Sequence, residues 1–156
     1  MVENQTKESA LKESSNGILN VEISDPKQQV YIYNCEEVSI QIKGSGKFKS
    51  LILDNCEKVN VQFDTIISGC EIVNSKKIGV QTDGVCPVFT IDKTIGVTLW
   101  LSEATYPISN FTTSMSSEMN VNIPDGDDRK ELPIPEQFIH KFTDKTLNSE
   151  VSDLYH

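Results

Sequence analysis

Arginine, histidine and tryptophan are scarce in this sequence, and their scarcity limits the chemistry that the chain can carry out. The 156 residues contain two histidines, one tryptophan and a single arginine, Arg129. His140 and His156 both lie near the end, so a Ser/His/Asp or Cys/His arrangement is difficult to assemble. A glycine-rich phosphate-binding motif is also missing. We therefore do not expect an enzyme.

Long hydrophobic runs are missing as well. Residues 1–12 contain no long apolar stretch, which argues against a signal peptide, and no later stretch approaches the roughly 18 apolar residues of a transmembrane helix. A cytoplasmic protein is therefore expected. The formal net charge of −9 disfavours nonspecific nucleic-acid binding, which requires a basic surface, and it disfavours anionic membranes.

The four cysteines do not have the spacing of a metal site. Cys35, Cys56, Cys70 and Cys86 include no Cys-x-x-Cys pair, and both histidines are far downstream. Reduced, buried thiols are the usual state of such cysteines in the cytosol. We expect neither a metal nor a cofactor.

A repeat of about 20 residues occupies the middle of the chain. Residues 33–42 align with residues 54–63 and 73–82, and a looser, shorter copy covers residues 91–99. Each copy ends in apolar and polar residues that alternate, which is the pattern of a half-buried strand. The predicted inward columns are Val38/Val59/Ile78/Ile95, Ile40/Val61/Val80/Val97 and Ile42/Phe63/Thr82/Leu99. A second strand precedes each turn, and in the fourth copy its inward residues are predicted to be Val88 and Thr90.

This period and pattern predict an all-β fold, a parallel β-helix. A coil of this length cannot bury its apolar face alone, so successive coils must stack. A leucine-rich repeat has a similar period, but its Leu-x-x-Leu-x-Leu pattern is missing. A meander of hairpins would require tight two-residue turns that the repeat lacks.

The outward positions of the repeat are small and neutral. They form the columns Ser39/Asn60/Gly79/Gly96 and Gln41/Gln62/Gln81/Thr98. Two interpretations stay open: a ladder of amides that stabilises stacking, and a flat surface for docking. Asn34, Asn55 and Asn74 are predicted to take left-handed conformations at tight corners. Cys35 and Cys56 are predicted to occupy one position on adjacent coils, as small buried residues or as a redox pair.

The sequence divides into three parts. Residues 1–17 are predicted to be a mobile N-terminal segment, residues 18–137 the β-helix domain, and residues 138–156 a C-terminal dimerisation hairpin and tail. Residues 125–130 are expected to form an exposed turn or loop, and Pro133 and Pro135 exclude helix and central strand from the segment that follows. A hairpin with its turn near Asp144 and Lys145 is predicted after Phe138. Exchange of terminal strands between two copies would cover the exposed end of the solenoid, and the predicted dimerisation residues are Phe138, Phe142, Leu147 and Val151.

The motifs downstream of the repeat are the most specific. Ser-Ser-Glu-Met-Asn-Val at 116–121 is followed by Pro-Ile-Pro-Glu-Gln-Phe at 133–138. With the segments 30–35, 41–44, 54–58, 71–75 and 91–94, the chain resembles the C-terminal domain of cyclase-associated protein over roughly residues 18–148. The resemblance implies a right-handed β-helix that dimerises by exchange of C-terminal hairpin strands. It also implies binding of ADP-loaded actin monomers and promotion of ADP-to-ATP exchange, which recycles monomers for filament assembly in the actin cytoskeleton.

Under this resemblance, we predict that actin contacts the exposed strand face and its rim of lysines, since the family's partner is acidic. The predicted contact residues are Gln41, Lys43, Lys58, Asn60, Gln62, Lys77 and Gln81. Two alternatives stay open. One is a tubulin-cofactor-C-like regulator of a small GTPase, which would need Arg129 as its catalytic arginine; the other is a purely structural or interaction solenoid.

Overall fold

Alternating apolar residues fold this chain into stacked coils of short strands. The computed structural model describes residues 1–152. Its strands are β1 Val2–Glu3, β2 Ile18–Ile23, β3 Gln29–Tyr33, β4 Ser39–Gly44, β5 Lys47–Asp54, β6 Glu57–Phe63, β7 Thr65–Val73, β8 Lys76–Thr82, β9 Val88–Asp92, β10 Ile95–Trp100, β11 Asn110–Ser114, β12 Ser117–Asp125, β13 Asp128–Pro133, β14 Phe138–Thr143 and β15 Thr146–Val151, and its helix α1 is Lys7–Glu13.

The chain passes back and forth between two parallel sheets. Sheet A has the order β1-β3-β5-β7-β9-β11, and sheet B has the order β2-β4-β6-β8-β10-β12, with β13 added antiparallel at its end. From β1 to β12 the strands alternate between the two sheets, so the chain winds into a solenoid of about five turns. The predicted all-β parallel β-helix is confirmed.

The core lies between the two sheets and consists of in-register columns. In sheet A, Ile32, Leu53, Ile72 and Ile91 stack with no exposed surface. Sheet B faces them with columns rich in β-branched residues, which suit a pleated surface. For the first three repeats these columns are the predicted ones, Val38/Val59/Ile78, Ile40/Val61/Val80 and Ile42/Phe63/Thr82, all buried.

The predicted register of the fourth repeat is wrong by two residues. Val97, not Ile95, pairs with Ile78, and Ile95 is 48% exposed beside Lys76. The cause is Gly96, which has a positive φ of 86° and occupies the corner position that Lys77 occupies one coil earlier. The coil is therefore not shortened. The register of the preceding strand is shifted too, since Phe89 and Ile91 are buried in place of Val88 and Thr90.

The first coil begins before the predicted boundary at residue 18. Residues 1–17 were expected to form a mobile segment, whereas β1 pairs in parallel with β3 and Ala10 of α1 is buried in the core. Asn4 takes the left-handed corner conformation, with φ 57°, and its Oδ1 accepts a hydrogen bond of 2.7 Å from Asn34 Nδ2. This coil continues the repeat, but α1 is inserted in it, so Asn4 and Asn34 are separated by more residues than the later asparagine corners are.

The asparagine corners have the predicted conformation. Asn34, Asn55 and Asn74 have φ values of 54°, 54° and 50°. Asn55 Nδ2 donates to Asn34 Oδ1 at 3.1 Å, so the side chains also tie neighbouring coils together. Three residues further on, a second left-handed position is occupied by Glu37, Lys58, Lys77, Gly96 and Glu118.

Two hairpins end the described chain. The expected exposed turn or loop at 125–130 is the tight turn of a hairpin, in which Gly126, with φ 63°, allows Asp125 to pair with Asp128. The second hairpin, β14–β15, turns at Asp144 and Lys145 as predicted, with Thr143 opposite Thr146. Residues 153–156 of the predicted tail lie outside the described residues.

Candidate functional site

The outward side of three adjacent strands brings the predicted contact residues together. We name this surface, formed by β4, β6 and β8, the ladder face. Its predicted contact residues are Gln41 and Lys43 on β4, Lys58, Asn60 and Gln62 on β6, and Lys77 and Gln81 on β8. Parallel pairing aligns Gln41 with Gln62 and Gln62 with Gln81. All seven residues therefore lie on one sheet, as the sequence predicted.

The glutamine column is a hydrogen-bonded ladder. Gln41 Nε2 donates to Gln62 Oε1 at 3.5 Å. Gln62 and Gln81 both donate to the carboxylate of Asp83, at 2.9 and 3.0 Å. These bonds orient the amides, so little side-chain entropy remains to be lost when a partner binds. Asp83 is not among the predicted contact residues, although Asp64 precedes it by one repeat at the same position.

Lysines flank this ladder, beside the acidic residues Glu37, Asp64 and Asp83. Lys43 lines a groove of about 550 Å³ with Gln41, Gln62 and Asp83. Lys58 Nζ lies 3.8 Å from Glu37 Oε1, and both side chains are about half exposed. Such an exposed ion pair contributes little to stability, so Lys58 can exchange Glu37 for an acidic group of a partner.

Trp100 extends the ladder face beyond β8. The corrected register places it beside Gln81, where Thr98 was predicted. A Cβ at Gly79 would overlap Asn60 Oδ1 and lie 2.9 Å from Trp100 Cζ3, so the absent side chain of Gly79 leaves room for the indole. Two grooves of about 360 and 370 Å³ meet at Trp100 and Gln81. Had Gly96 been recognised as a corner residue, the sequence would have placed Trp100 here.

Arg129, which the GTPase alternative requires, is bound to the β-helix itself. Its Nη2 donates to the carbonyl oxygens of Leu101 and Asn122 at 2.8 and 2.9 Å, and its Nε donates to Asn122 Oδ1. The guanidinium thereby fastens β13 to the last coil. These contacts leave the alternative without a specific observation in its favour.

The four predicted dimerisation residues lie on one face of the terminal hairpin. Phe138 pairs with Val151 and Phe142 pairs with Leu147 across the two strands. Phe142 is 74% exposed and Leu147 is 57% exposed. Within residues 1–152, β14 and β15 pair only with each other. An isolated two-stranded hairpin with an exposed apolar face is marginally stable, so this face is suited to contact with another surface.

Two further properties concern metals and membranes. Among residues 1–152, no group of three or more His, Cys, Asp and Glu side chains is arranged to hold a metal ion. No helix in that range is long and apolar enough to span a bilayer.

The stacked coils, the polar ladder face and the terminal hairpin define a β-helix domain with an open sheet surface. Over residues 1–154, the chain matches the family model described as adenylate cyclase associated (CAP) C terminal, and it belongs to this family. The match also covers residues 1–17, which lie outside the predicted β-helix domain.

Named proteins of this family are similar to the chain. Adenylyl cyclase-associated protein 2 of Homo sapiens is 40% identical over 128 residues, which are 82% of this chain and 26% of that protein. Adenylyl cyclase-associated protein 1 of Homo sapiens is 38% identical over 145 residues, which are 91% of this chain and 30% of that protein. The chain thus spans less than a third of the length of these relatives. The crystal structure of cyclase-associated protein from Cryptosporidium parvum superposes with a TM-score of 0.84 at 28% identity, over 96% of this chain and 87% of that one.

Proposed function

We propose that this domain binds ADP-loaded actin monomers through the ladder face and promotes exchange of ADP for ATP. The observation that carries the proposal is the gathering of seven predicted contact residues on one in-register sheet, in a chain of the CAP C-terminal family. Lysines at the rim would complement acidic groups of actin and speed the encounter. The site of action would be the actin cytoskeleton in the cytoplasm.

The proposed mechanism is conformational and assigns no catalytic role to any residue of the chain. A protein that binds one state of its partner more tightly shifts the partner's population toward that state. If the ladder face prefers an actin monomer with a loosened nucleotide cleft, ADP leaves faster without contact to its phosphates. The hydrogen-bonded column from Gln41 to Asp83 supports this proposal because a rigid surface discriminates between two shapes of a partner better than a flexible one.

We also propose that the domain is a homodimer formed by the terminal hairpins, with strands exchanged between the two copies. The exposed apolar face of β14–β15 supports this proposal. A dimer would present two ladder faces and bind two actin monomers.

The test is release of a fluorescent ADP from actin monomers, with and without the domain at stoichiometric concentration. We expect the wild-type domain to accelerate release and Lys58→Glu/Lys77→Glu to abolish most of the acceleration, because charge reversal at the rim opposes docking on an acidic partner. Lys27→Glu/Lys49→Glu is the matched control, since it makes the same change in net charge at exposed positions outside the ladder face. Equal loss in both double variants would remove the rim from the site. If the wild-type domain neither accelerates release nor binds actin, the proposed function is wrong and the alternative of a purely structural or interaction solenoid is left.

Trp100→Ala should weaken binding to ADP-actin by roughly 30-fold, which corresponds to the loss of an interface hot spot. The indole lies where the two grooves of the ladder face meet, and tryptophan buries a large apolar area when a partner covers it. The dissociation constant can be measured by titration calorimetry. Trp100→Phe, which keeps an aromatic ring over Gly79, should retain most of the affinity, and an unchanged affinity in the alanine variant would contradict the prediction.

A further inference from the structure

One corner of the β-helix carries a column of small polar side chains that bond to the backbone. The column follows the left-handed asparagine position and consists of Cys35, Cys56, Ser75, Thr94 and Ser116. Ser75 Oγ donates to the carbonyl oxygen of Val73 at 2.7 Å and accepts the amide N–H of Cys56 at 3.1 Å. Thr94 Oγ1 likewise donates to the carbonyl oxygen of Asp92 at 3.0 Å and accepts the amide N–H of Ser75 at 3.3 Å. A hydroxyl therefore makes both backbone hydrogen bonds at this position, and the stacking of the coils does not require a thiol there.

The first two members of the column are nevertheless thiols, and they are neighbours. Cys35 Sγ and Cys56 Sγ each donate at 3.4 Å to the carbonyl two residues earlier, as the hydroxyls do. A β-bridge between Glu36 and Glu57 holds the two corners in register, and the Glu57 N–H donates to the carbonyl oxygen of Cys35 at 3.0 Å. Stacked strands are spaced by about 4.8 Å, which lies within the range of about 4.4 to 6.8 Å that disulfides span between Cα atoms.

The two thiols also interact with each other, and a groove leads to them. Hydrogen bonding with Cys56 lowers the pKa of Cys35 below its ordinary value, while the same bond and burial raise the pKa of Cys56. Each side chain is only 2% exposed, but both line a polar groove of about 370 Å³ with Asn34 and Asn55. A molecule as small as hydrogen peroxide fits this groove.

The other two cysteines differ in register and in access, since neither lines this groove. Cys70 pairs with Phe89 on the next coil and not with Cys86. Burial raises the pKa of Cys70 and raises that of Cys86 to about 12, so both remain protonated thiols at neutral pH. They form an internal control within the same molecule.

We propose that Cys35 and Cys56 are a redox modification site, at which a peroxide converts the two thiols into a disulfide that joins the β3–β4 corner to the β5–β6 corner. The thiolate of Cys35 attacks one oxygen of hydrogen peroxide, the O–O bond breaks, and Cys35 sulfenic acid and hydroxide form. Hydroxide takes up the proton that Cys35 released, giving water. The sulfur of Cys56 then attacks the sulfenic sulfur, and the departing hydroxyl leaves with the Cys56 proton as a second water. The two sulfurs lose two electrons in total, and the peroxide gains them.

Peptide mapping tests the site. The folded domain is treated with hydrogen peroxide, its remaining thiols are alkylated in denaturant, and it is digested with trypsin without reductant. Lys43, Lys47 and Lys49 lie between the two cysteines, so only a disulfide keeps their peptides together. We expect a joined Cys35–Cys56 peptide that reduction separates, with Cys70 and Cys86 recovered as alkylated thiols. Absence of the joined peptide, or oxidation of Cys70 and Cys86 to the same extent, overturns the proposal.

Serine variants provide the second measurement. Cys35→Ser and Cys56→Ser copy the hydroxyl of Ser75, so both should fold like the wild type. Peroxide should raise the urea midpoint of the wild type, because a disulfide that closes a loop restricts the unfolded chain, and should leave the midpoints of both variants unchanged. A rise of the same size in either variant would assign the effect to another reaction and overturn the proposal.

Discussion

Gly44→Ala is expected to lower the free energy of unfolding by about 4 kcal/mol or more, in the range reached only by severe backbone or core disruption. Gly44 ends β4 with φ 122°, a conformation that residues with a side chain rarely adopt. An added Cβ would overlap the carbonyl oxygen of Ile23 and lie 2.7 Å from its amide nitrogen. These atoms belong to the backbone of β2, the neighbouring strand, with which Gly44 is in register. They cannot rotate away as a side chain does, so β2 and β4 must separate.

Urea unfolding measures this loss, and Gly126→Ala is the matched control. Gly126 also has a positive φ, 63°, but a Cβ there would have no neighbour within 4 Å. Its replacement should cost only the left-handed strain of about 1 to 2 kcal/mol. Because folded domains are stable by only about 5 to 15 kcal/mol, Gly44→Ala should remove a large share of the total. Similar midpoints for the two variants would show that the β2–β4 pairing adapts more easily than its geometry suggests.

The parts of the fold that were predictable from sequence are those that repeat a side-chain pattern. Three copies of the alternating strand, each after an asparagine corner, specified the inward columns and the ladder of Gln41, Gln62 and Gln81. Their periodicity arises because in-register stacking places equivalent residues on one another, so each column needs one kind of side chain. The hairpin at Asp144 could be predicted for a related reason, since apolar residues flank a short polar turn.

The errors arose where backbone conformation, and not side-chain type, determines the register. In the fourth repeat Gly96 occupies the corner position that Lys77 occupies in the third. Glycine has no polar or charged side chain by which the two sequences could be aligned. Ile95 therefore resembled a core residue, and Trp100 was left out of the ladder face. In the first coil, Asn4 occupies a corner, but α1 separates it from Asn34 by more than one normal repeat. Asp83 was missed because its role as a shared hydrogen-bond acceptor depends on the spatial proximity of Gln62 and Gln81.

Phe142→Asp/Leu147→Asp is expected to convert a dimer into a monomer, with the dimer dissociation constant raised at least about 100-fold. The two side chains pair across the hairpin and are the most exposed of the predicted dimerisation residues. In the proposed dimer a second copy covers them, and truncation of a well-packed interface residue commonly costs about 2 kcal/mol or more. A carboxylate in the same place adds the cost of burying an unpaired charge. Size-exclusion chromatography with light scattering gives the mass at a range of concentrations.

Thr143→Asp/Thr146→Asp separates loss of the interface from loss of the hairpin. Thr143 and Thr146 form the adjacent cross-strand pair and lie on the opposite face, so this variant introduces the same two charges, again directly opposite each other. Any weakening of the hairpin by repulsion between facing carboxylates is therefore common to both variants, whereas only Phe142→Asp/Leu147→Asp alters the apolar face. The proposal predicts a dimer for the threonine variant and a monomer for the other. If both double variants are monomeric, the loss of the dimer is due to an unfolded hairpin. A monomeric wild type would exclude the dimer itself.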